Sequence, residues 1–598
     1  HIGVKTNQVR KILKLLNTNE TSIVNKIIPK EIRYNLNEFK SVSENESLKN
    51  LKNSFTQEYK KNLIGLDFNE SILPNVIKRN ILENPKWYTS YTPYQAEISQ
   101  GRLESLFNYQ TLISELTGLP VSNCSLLDTG SASTEALNMA FDYHRHKKTQ
   151  FFLDKNVHPQ IKEILKTRSK VMDIDLIVDD FKNIKINDKL FGAYFSYPNT
   201  NGNIDYFCET IKDLRGNNTT VISQNDLLSL MLLRAPGSLG VDISLGTTQR
   251  FGLPLWYGGP HSSFFASAKE YTRYMPGRIV GKTIDRNNNE CFRLAMQTRE
   301  QHIKKERASS NICTSQALLA NVSSMYAISH GKENLKNIAM EVFFKTKTLK
   351  NILKENGFNV DKNENFFDTF SFEFFKDGDN IYNCLKFNGY VTRKTDNTIS
   401  ISINENISNE DCVNIINNIL IFKENSNKKS LHMSEFILRI NDEMRNTNFN
   451  NTDLYRTNNF LNQSIFKNEK TETEMLRYIN SLSDKDYSLV NGMIPLGSCT
   501  MKLNSTTQLE PLSWNELQNH HPYQNEMDNG YKKIIDELRE YLLNITNMTS
   551  ISFQTNAGSI GEYTGLMCIR KYHEKNNESH RDICLIPDSA HGTNFTSA

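Results

Sequence analysis

The residues best suited to chemistry lie between Asn556 and Gly561. The stretch Asn556-Ala-Gly-Ser-Ile-Gly561 separates an apolar run, Ile551 to Phe553, expected as a strand, from an amphipathic run, Glu562 to about Lys575, expected as a helix. A strand-to-helix turn aims free backbone N–H groups and the positive end of a helix dipole at one spot, which suits an anion and above all a phosphate. Gly558 and Gly561 let the backbone come close to it, and Ser559 adds a hydroxyl donor. Such a turn also serves as a plain connection, and both readings stay open. His591 follows the next apolar run, Ile583 to Ile586, after four residues. In a parallel sheet it emerges at the same carboxyl edge as the loop, where α/β proteins bind ligands. Its imidazole could stack on an aromatic cofactor or hydrogen-bond its own loop.

Two further segments carry reactive groups. Asn491 to Leu503 is an apolar loop with Ser498, Cys499, Thr500 and Lys502, able to line a pocket, although no base stands at a telling distance from the thiol. Cys499 also reads as a small packed residue. The charge-dense run Gln297 to Arg307 reads as a solvated helix face. Nine cysteines, never spaced CxxC, speak against a disulfide framework or a zinc site, so no metal is expected and a reducing compartment is. Seventy Lys plus Arg against 67 Asp plus Glu leave a net +3, too balanced to mark a nucleic-acid or membrane-surface binder. No run reaches the roughly 18 apolar residues of a membrane-spanning helix.

At 598 residues the chain has room for several domains. Residues 1–80 read as a helical arm, with Val9, Ile12, Leu15 and Leu16 at helical spacing. From Cys124 come a short strand, the loop Asp128 to Thr134, a helix through His144, a strand at Phe151 to Leu153, and His158, a βαβ unit. Strands at Phe191 to Ser196 and Thr220 to Ser223 extend a mostly parallel sheet, which assigns residues 81–340 to a large α/β domain ending in a long helix over 300–340. Residues 341–422 read as a smaller α+β domain with strands at Thr369 to Phe374 and Thr398 to Ile403. Asn, Lys and Ser crowd 423–463, expected as a linker, and 464–598 begins a second large unit.

An internal repeat links the two. Thr92-Pro-Tyr-Gln-Ala-Glu-Ile-Ser-Gln-Gly101 is echoed by His521-Pro-Tyr-Gln-Asn-Glu-Met-Asp-Asn-Gly530, each ahead of an amphipathic helix. Glu135 then matches Glu562, and His158 matches His591. The pattern is that of a duplicated domain. The chain starts at His1 and stops seven residues past His591, so the second copy is expected to be incomplete and the chain a fragment.

The sequence resembles the P-protein, or glycine decarboxylase, family of the glycine cleavage system. The resemblance rests on Tyr91 to Ser105, Gln249 to His261, Gln297 to His302, Ser310 to Thr314, Met493 to Asn504 and Ser589 to Asn594. It implies two tandem fold-type-I units of the pyridoxal-phosphate-dependent transferase kind, each a mostly parallel seven-stranded sheet with flanking helices plus a small α+β domain, the second incomplete here. It implies pyridoxal 5'-phosphate held by Asn556, Gly558, Ser559, Gly561, His591 and Thr593, with His591 the catalytic ring-stacking residue and Ser498, Cys499, Thr500 and Lys502 lining the substrate pocket. The first unit would be silent, with Gln249 in the slot of the Schiff-base lysine. That lysine in the second unit would lie beyond Ala598, so this fragment alone is expected to be inactive. The loop departs from the family at Ala557 and Ile560, usually serine and glutamine, and Phe595 and Thr596 replace a proline and an alanine. The implied activity is glycine decarboxylation, an oxidoreductase reaction that transfers the aminomethyl group to the lipoyl arm of the H-protein. A homodimer is implied, in the mitochondrial matrix of a eukaryote or the cytoplasm of a bacterium. Two other readings are a non-catalytic scaffold and another fold-type-I decarboxylase or desulfurase.

Overall fold

The structure, a computed structural model, describes residues 4–34, 39–56, 59–88, 93–312, 314–374, 377–422, 430–449, 453–488, 490–492, 505–524 and 527–598. They form two compact units, one of 1–57, 493–511 and 526–554, the other of 58–492, 512–525 and 555–598. The smaller unit is helical: Thr6–Leu15, Glu20–Ile27, Glu44–Lys52 and Asn529–Thr546. Asn19 and Ser43 cap two of these helices by accepting from Ser22 N and Glu46 N. Phe55 meets Tyr531 edge-on, with ring centroids 5.8 Å apart, and Phe39 meets Tyr541 at 5.3 Å. Among these helices only Gly530 and Tyr531 are buried.

The larger unit is built on a seven-stranded sheet: β1 (Val121–Ser122), β2 (Gln150–Asp154), β3 (Asp175–Asp179), β4 (Leu190–Tyr197), β5 (Thr220–Asn225), β6 (Ile243–Thr247) and β7 (Ser263–Ser267). Its spatial order is β1-β7-β6-β5-β4-β2-β3. The five strands from β6 to β3 run parallel, and β7 pairs antiparallel with both β6 and β1. The mostly parallel sheet expected from the sequence is therefore present. Alternation along the strands feeds two cores. Phe152, Ala193, Phe195 and Val221 join one, and Phe151, Leu153, Phe191, Tyr194 and Ile222 join the other. All eight residues of β4 are buried, as its unbroken apolar run requires of a strand covered on both faces. Flanking helices are α1 (Gln100–Thr117), α2 (Thr129–Tyr143) and α3 (Pro159–Val171).

A second, five-stranded sheet orders Lys61–Leu63, Tyr390–Lys394, Thr398–Ser402, Thr369–Glu373 and Asn359–Val360. Lys61–Leu63 was expected within a helical arm. It is a strand because it pairs with Tyr390–Lys394 and buries Asn62 and Leu63, and that pairing overrides local preference. The long helix, α4, runs over Ala317–Glu355 rather than 300–340. Its start is delayed because Arg299, Glu300 and Gln301 are buried in short turns and not on a solvated helix face. It bends at Gly331, whose φ is 66°, where a side chain would lie 2.5 Å from the backbone of Asn468 and Glu469. A helix over Met433–Asn446, anchored by buried Phe436, stands within the Asn- and Lys-rich stretch.

Ile551 to Phe553 and Ile583 to Ile586 form no strand. Ile583 and Leu585 are 85% and 91% exposed, and among the described residues no neighbouring strand completes a ladder with them. The helices after them do form: α5 (Gly558–Lys575) and α6 (Gly592–Ser597). The repeat survives in local geometry. Each echoed motif leads into an 18-residue helix, α1 and Asn529–Thr546. His158 (φ −52°, ψ 138°) and His591 (φ −59°, ψ 145°) each precede a helix in the same backbone conformation.

Candidate functional site

The repeat read in the sequence leads to the expectation of two crevices, one per copy. The first lies at the carboxyl ends of β2, β4 and β5. His158, four residues past β2, donates or accepts at Thr200 Oγ1 over 2.9 Å and stands 3.5 Å from Asp67 Oδ1. Gln224 Nε2 donates to Asp67 Oδ2 over 2.7 Å. Burial pushes the Asp67 carboxyl up, but the neighbouring His158 and His261 more than offset it and hold it below its usual range. Arg250 is ion-paired with both Asp226 and Asp368. Gln249 lies two residues past β6, fully buried. Its Oε1 accepts from Asn69 N over 2.8 Å and its Nε2 donates to the Leu253 carbonyl oxygen over 2.6 Å. What is left is a cavity of about 30 Å³, lined by Asp67, His158, Gln224 and Asp226 among others but by no lysine. That is room for ordered water and not for a pyridine ring. Helix α2, at this copy's counterpart of the loop, has its own anion: Asp128 caps it, accepting from Ser131 N over 2.6 Å.

The second crevice is built around α5 and α6. Ala557, ahead of α5, provides no side-chain cap, so the first N–H groups of an 18-residue helix have no carboxylate of their own. A side chain added at Gly558 would meet nothing within 4 Å, and at Gly561 only Thr555 Oγ1 at 3.7 Å. Open space and uncapped donors fit a phosphate group, where α2 has a carboxylate instead. Ser559 is buried and its carbonyl oxygen accepts from Asn311 Nδ2 over 3.1 Å. Asn556 is exposed, and its amide donates to Asp128 and, over 3.4 Å, to Ser131 Oγ. On α6, Asn594 Nδ2 donates to Glu562 Oε1 over 2.8 Å, which ties α6 to α5 and brings the His591 turn to the loop end of that helix. His591 is exposed and its Nδ1 accepts from Thr593 N over 3.2 Å. Ser498, Cys499, Thr500 and Lys502 lie outside the described residues.

Sequence reasoning missed a wall of this crevice that comes from the first copy. Thr593 Oγ1 donates to Gln301 Oε1 over 2.6 Å, and Gly592 lies so near Gln301 that a side chain there would stand 2.7 Å from its carbonyl oxygen. Burial, then the nearby Arg278 and His591, lower the His302 pKa. Arg168 stacks over the Tyr563 ring at 4.6 Å. The run Gln297 to Arg307 carries charge at every turn, and nothing in its spacing tells a buried contact from a solvated face.

Comparisons with known proteins identify the family. The profile of the glycine cleavage system P-protein matches residues 1–419. A mitochondrial glycine dehydrogenase (decarboxylating) of Dictyostelium discoideum is 42% identical over 616 residues, spanning 100% of this chain and 61% of its own length. The counterpart from Nostoc punctiforme is 41% identical over 605 residues, again 100% of this chain and 61% of that protein. The chain thus spans about three-fifths of the curated relatives it matches. A crystal structure of glycine decarboxylase (P-protein) in inhibitor-bound form superposes with a TM-score of 0.65 at 26% identity, covering 70% of this chain and 99% of that one. With that profile matched over residues 1–419 and relatives above 40% identity along its whole length, the chain belongs to the glycine cleavage system P-protein family.

Proposed function

We propose that the protein this chain belongs to decarboxylates glycine with pyridoxal 5'-phosphate and passes the aminomethyl group to the lipoyl arm of the H-protein. The observation that carries this reading is the contrast between the two helix N-termini. Helix α2 is capped by Asp128, while α5 offers uncapped N–H donors and the open space beside Gly558. Pyridoxal phosphate, when bound, supplies the electron sink for the pair released as the carboxylate leaves. The chain's own part is to hold and orient. Backbone N–H groups from Gly558 to Ile560, with the Ser559 hydroxyl, receive the phosphate, Gly561 gives it room, Asn556 and Thr593 complete the rim, and the exposed face of His591 stacks on the ring. The first copy excludes water from one side through Gln301 and Asn311. Ser498, Cys499, Thr500 and Lys502 are proposed to line the glycine side. Two copies of the protein are proposed to associate, in the mitochondrial matrix if the source is eukaryotic and in the cytoplasm otherwise. The test is exchange of labelled bicarbonate into the glycine carboxyl by the full-length protein with lipoylated carrier. Exchange that needs glycine, cofactor and carrier together is expected, and its absence overturns the reading.

A further inference from the structure

Arg299 is 6% exposed, yet its Nε and Nη2 have no hydrogen-bond partner, while Nη1 donates to the Met275 carbonyl oxygen. Buried donors of a charged group are rarely left unmet, and an unmet one calls for an ion or a ligand. Among the described residues no ion pair neutralises it. Burial, then the like charge of Arg278, pull the guanidinium pKa down to about 10, so it remains charged at neutral pH. Glu300, the carboxylate beside it, is ion-paired with Arg278 and has His302 Nδ1 at 3.5 Å. Burial pushes the Cys124 thiol and the Tyr94 phenol each up to about 12, so both stay neutral. Glu300 is thus taken up by Arg278, and among the described residues the Arg299 guanidinium has no carboxylate of its own, which leaves its positive charge over.

The surplus faces a cavity of about 10 Å³ lined by Arg278, Arg299, Glu300, Gln301, Ser309 and Ser310. Gln301 is the residue that Thr593 holds, and His302 is the one His591 influences, so the cavity adjoins the second crevice. We propose that Arg299, with Arg278 beside it, forms the anion subsite of that crevice and takes the carboxylate of the amino-acid substrate. The inference rests on the decarboxylase reading for the identity of its ligand. Charge selects the class: a monoanion balances the surplus, whereas a phosphate dianion would overshoot it. Size limits the mode, because the cavity has room for about one water-sized group, so one carboxylate oxygen enters it and the rest of the ligand stays in the crevice. A clamp on a carboxylate that departs as neutral CO2 stabilises the bound substrate more than the transition state, so its loss raises KM without lowering kcat.

The test titrates this chain calorimetrically with acetate and, separately, with inorganic phosphate, in wild type, Arg299→Met and Arg299→Lys. Acetate is expected to bind wild type saturably, about thirty-fold more weakly in Arg299→Met, the loss of one charged hydrogen-bonding group, and about ten-fold more weakly in Arg299→Lys, which keeps the charge without the fork. Phosphate affinity is expected to be equal in all three. Acetate binding that is absent in wild type or unchanged in the variants overturns the proposal, as does a loss confined to phosphate. Should Arg299→Met not fold, Arg299→Lys decides alone. Acetate binding needs neither cofactor nor carrier, so its failure leaves the decarboxylase reading standing, and a failed bicarbonate exchange leaves the acetate result standing.

Discussion

Replacing Gln249 by lysine puts a primary amine in the first crevice, where the family resemblance places a cofactor-linked lysine in active units. The structure predicts damage and no gain. Gln249 is fully buried and both ends of its amide are used, by Asn69 N at 2.8 Å and by the Leu253 carbonyl oxygen at 2.6 Å. Lysine cannot accept a hydrogen bond, so the Asn69 N–H loses its acceptor at about 1–3 kcal/mol. The new ammonium is buried next to Arg250, whose carboxylates Asp226 and Asp368 are already engaged, which adds a desolvation cost. Together these come to about 3–5 kcal/mol. The cavity of about 30 Å³ leaves the amine no ring to meet. The assay has two parts: thermal unfolding against wild type, and treatment with pyridoxal phosphate and borohydride followed by peptide mapping. A lower melting temperature and no pyridoxyl group on residue 249 are expected. An unchanged melting temperature, or a pyridoxyl-lysine at 249, refutes the reasoning that this crevice is filled.

Gly101→Ala places a methyl group 1.8 Å from the Leu482 carbonyl oxygen, forcing α1 away from the helix Glu472–Ser483. A loss of roughly 3 kcal/mol or more is expected in chemical denaturation. Burial raises the Glu135 carboxyl from 4.5 to about 7, so its protonated form favours the fold. That contribution, roughly 3 kcal/mol, is fully present below pH 4.5 and is lost as pH rises through 7. Glu135→Gln should flatten the decline in unfolding midpoint between pH 5 and 8, and an undiminished slope counts against it. Asp128→Ala removes the α2 cap at about 1 kcal/mol and frees the Asn556 amide, measurable as a lower urea midpoint.

The parallel sheet was legible because β2, β4 and β5 are short apolar runs spaced by helical ones, and burial on both faces makes such runs unbroken. The repeat was legible for the same reason: equal motifs give equal turns, down to matched dihedral angles at His158 and His591. Strands were overestimated at Ile551 to Phe553 and Ile583 to Ile586 because an apolar run states a preference, while a strand needs a neighbour. Lys61–Leu63 erred the other way, its partner Tyr390–Lys394 lying more than three hundred residues along the chain. The wall at Arg299 to Gln301 was illegible because charge normally marks solvent, and only the tertiary contact with Thr593 shows these residues to be buried.

The helix ends at the two crevices differ in how their first N–H groups are met. In the first copy, charges of the protein's own, Asp67 at His158 and Asp128 at α2, occupy places where a ligand's charges could sit. In the second copy the corresponding helix end is left uncapped, and the first copy leans against it. The positions where this chain departs from its family fall on that contact. Ala557 and Ile560 pack against the core around α2, Phe595 lies under Lys305 Nζ at 4.9 Å, and Thr596 Oγ1 donates to the Lys305 carbonyl oxygen over 3.0 Å. Serine and glutamine at 557 and 560 would bring polar groups to an apolar core, which costs free energy unless each finds a hydrogen bond. All four side chains thus touch the first copy, and none of them supplies a cap to the first N–H groups of α5.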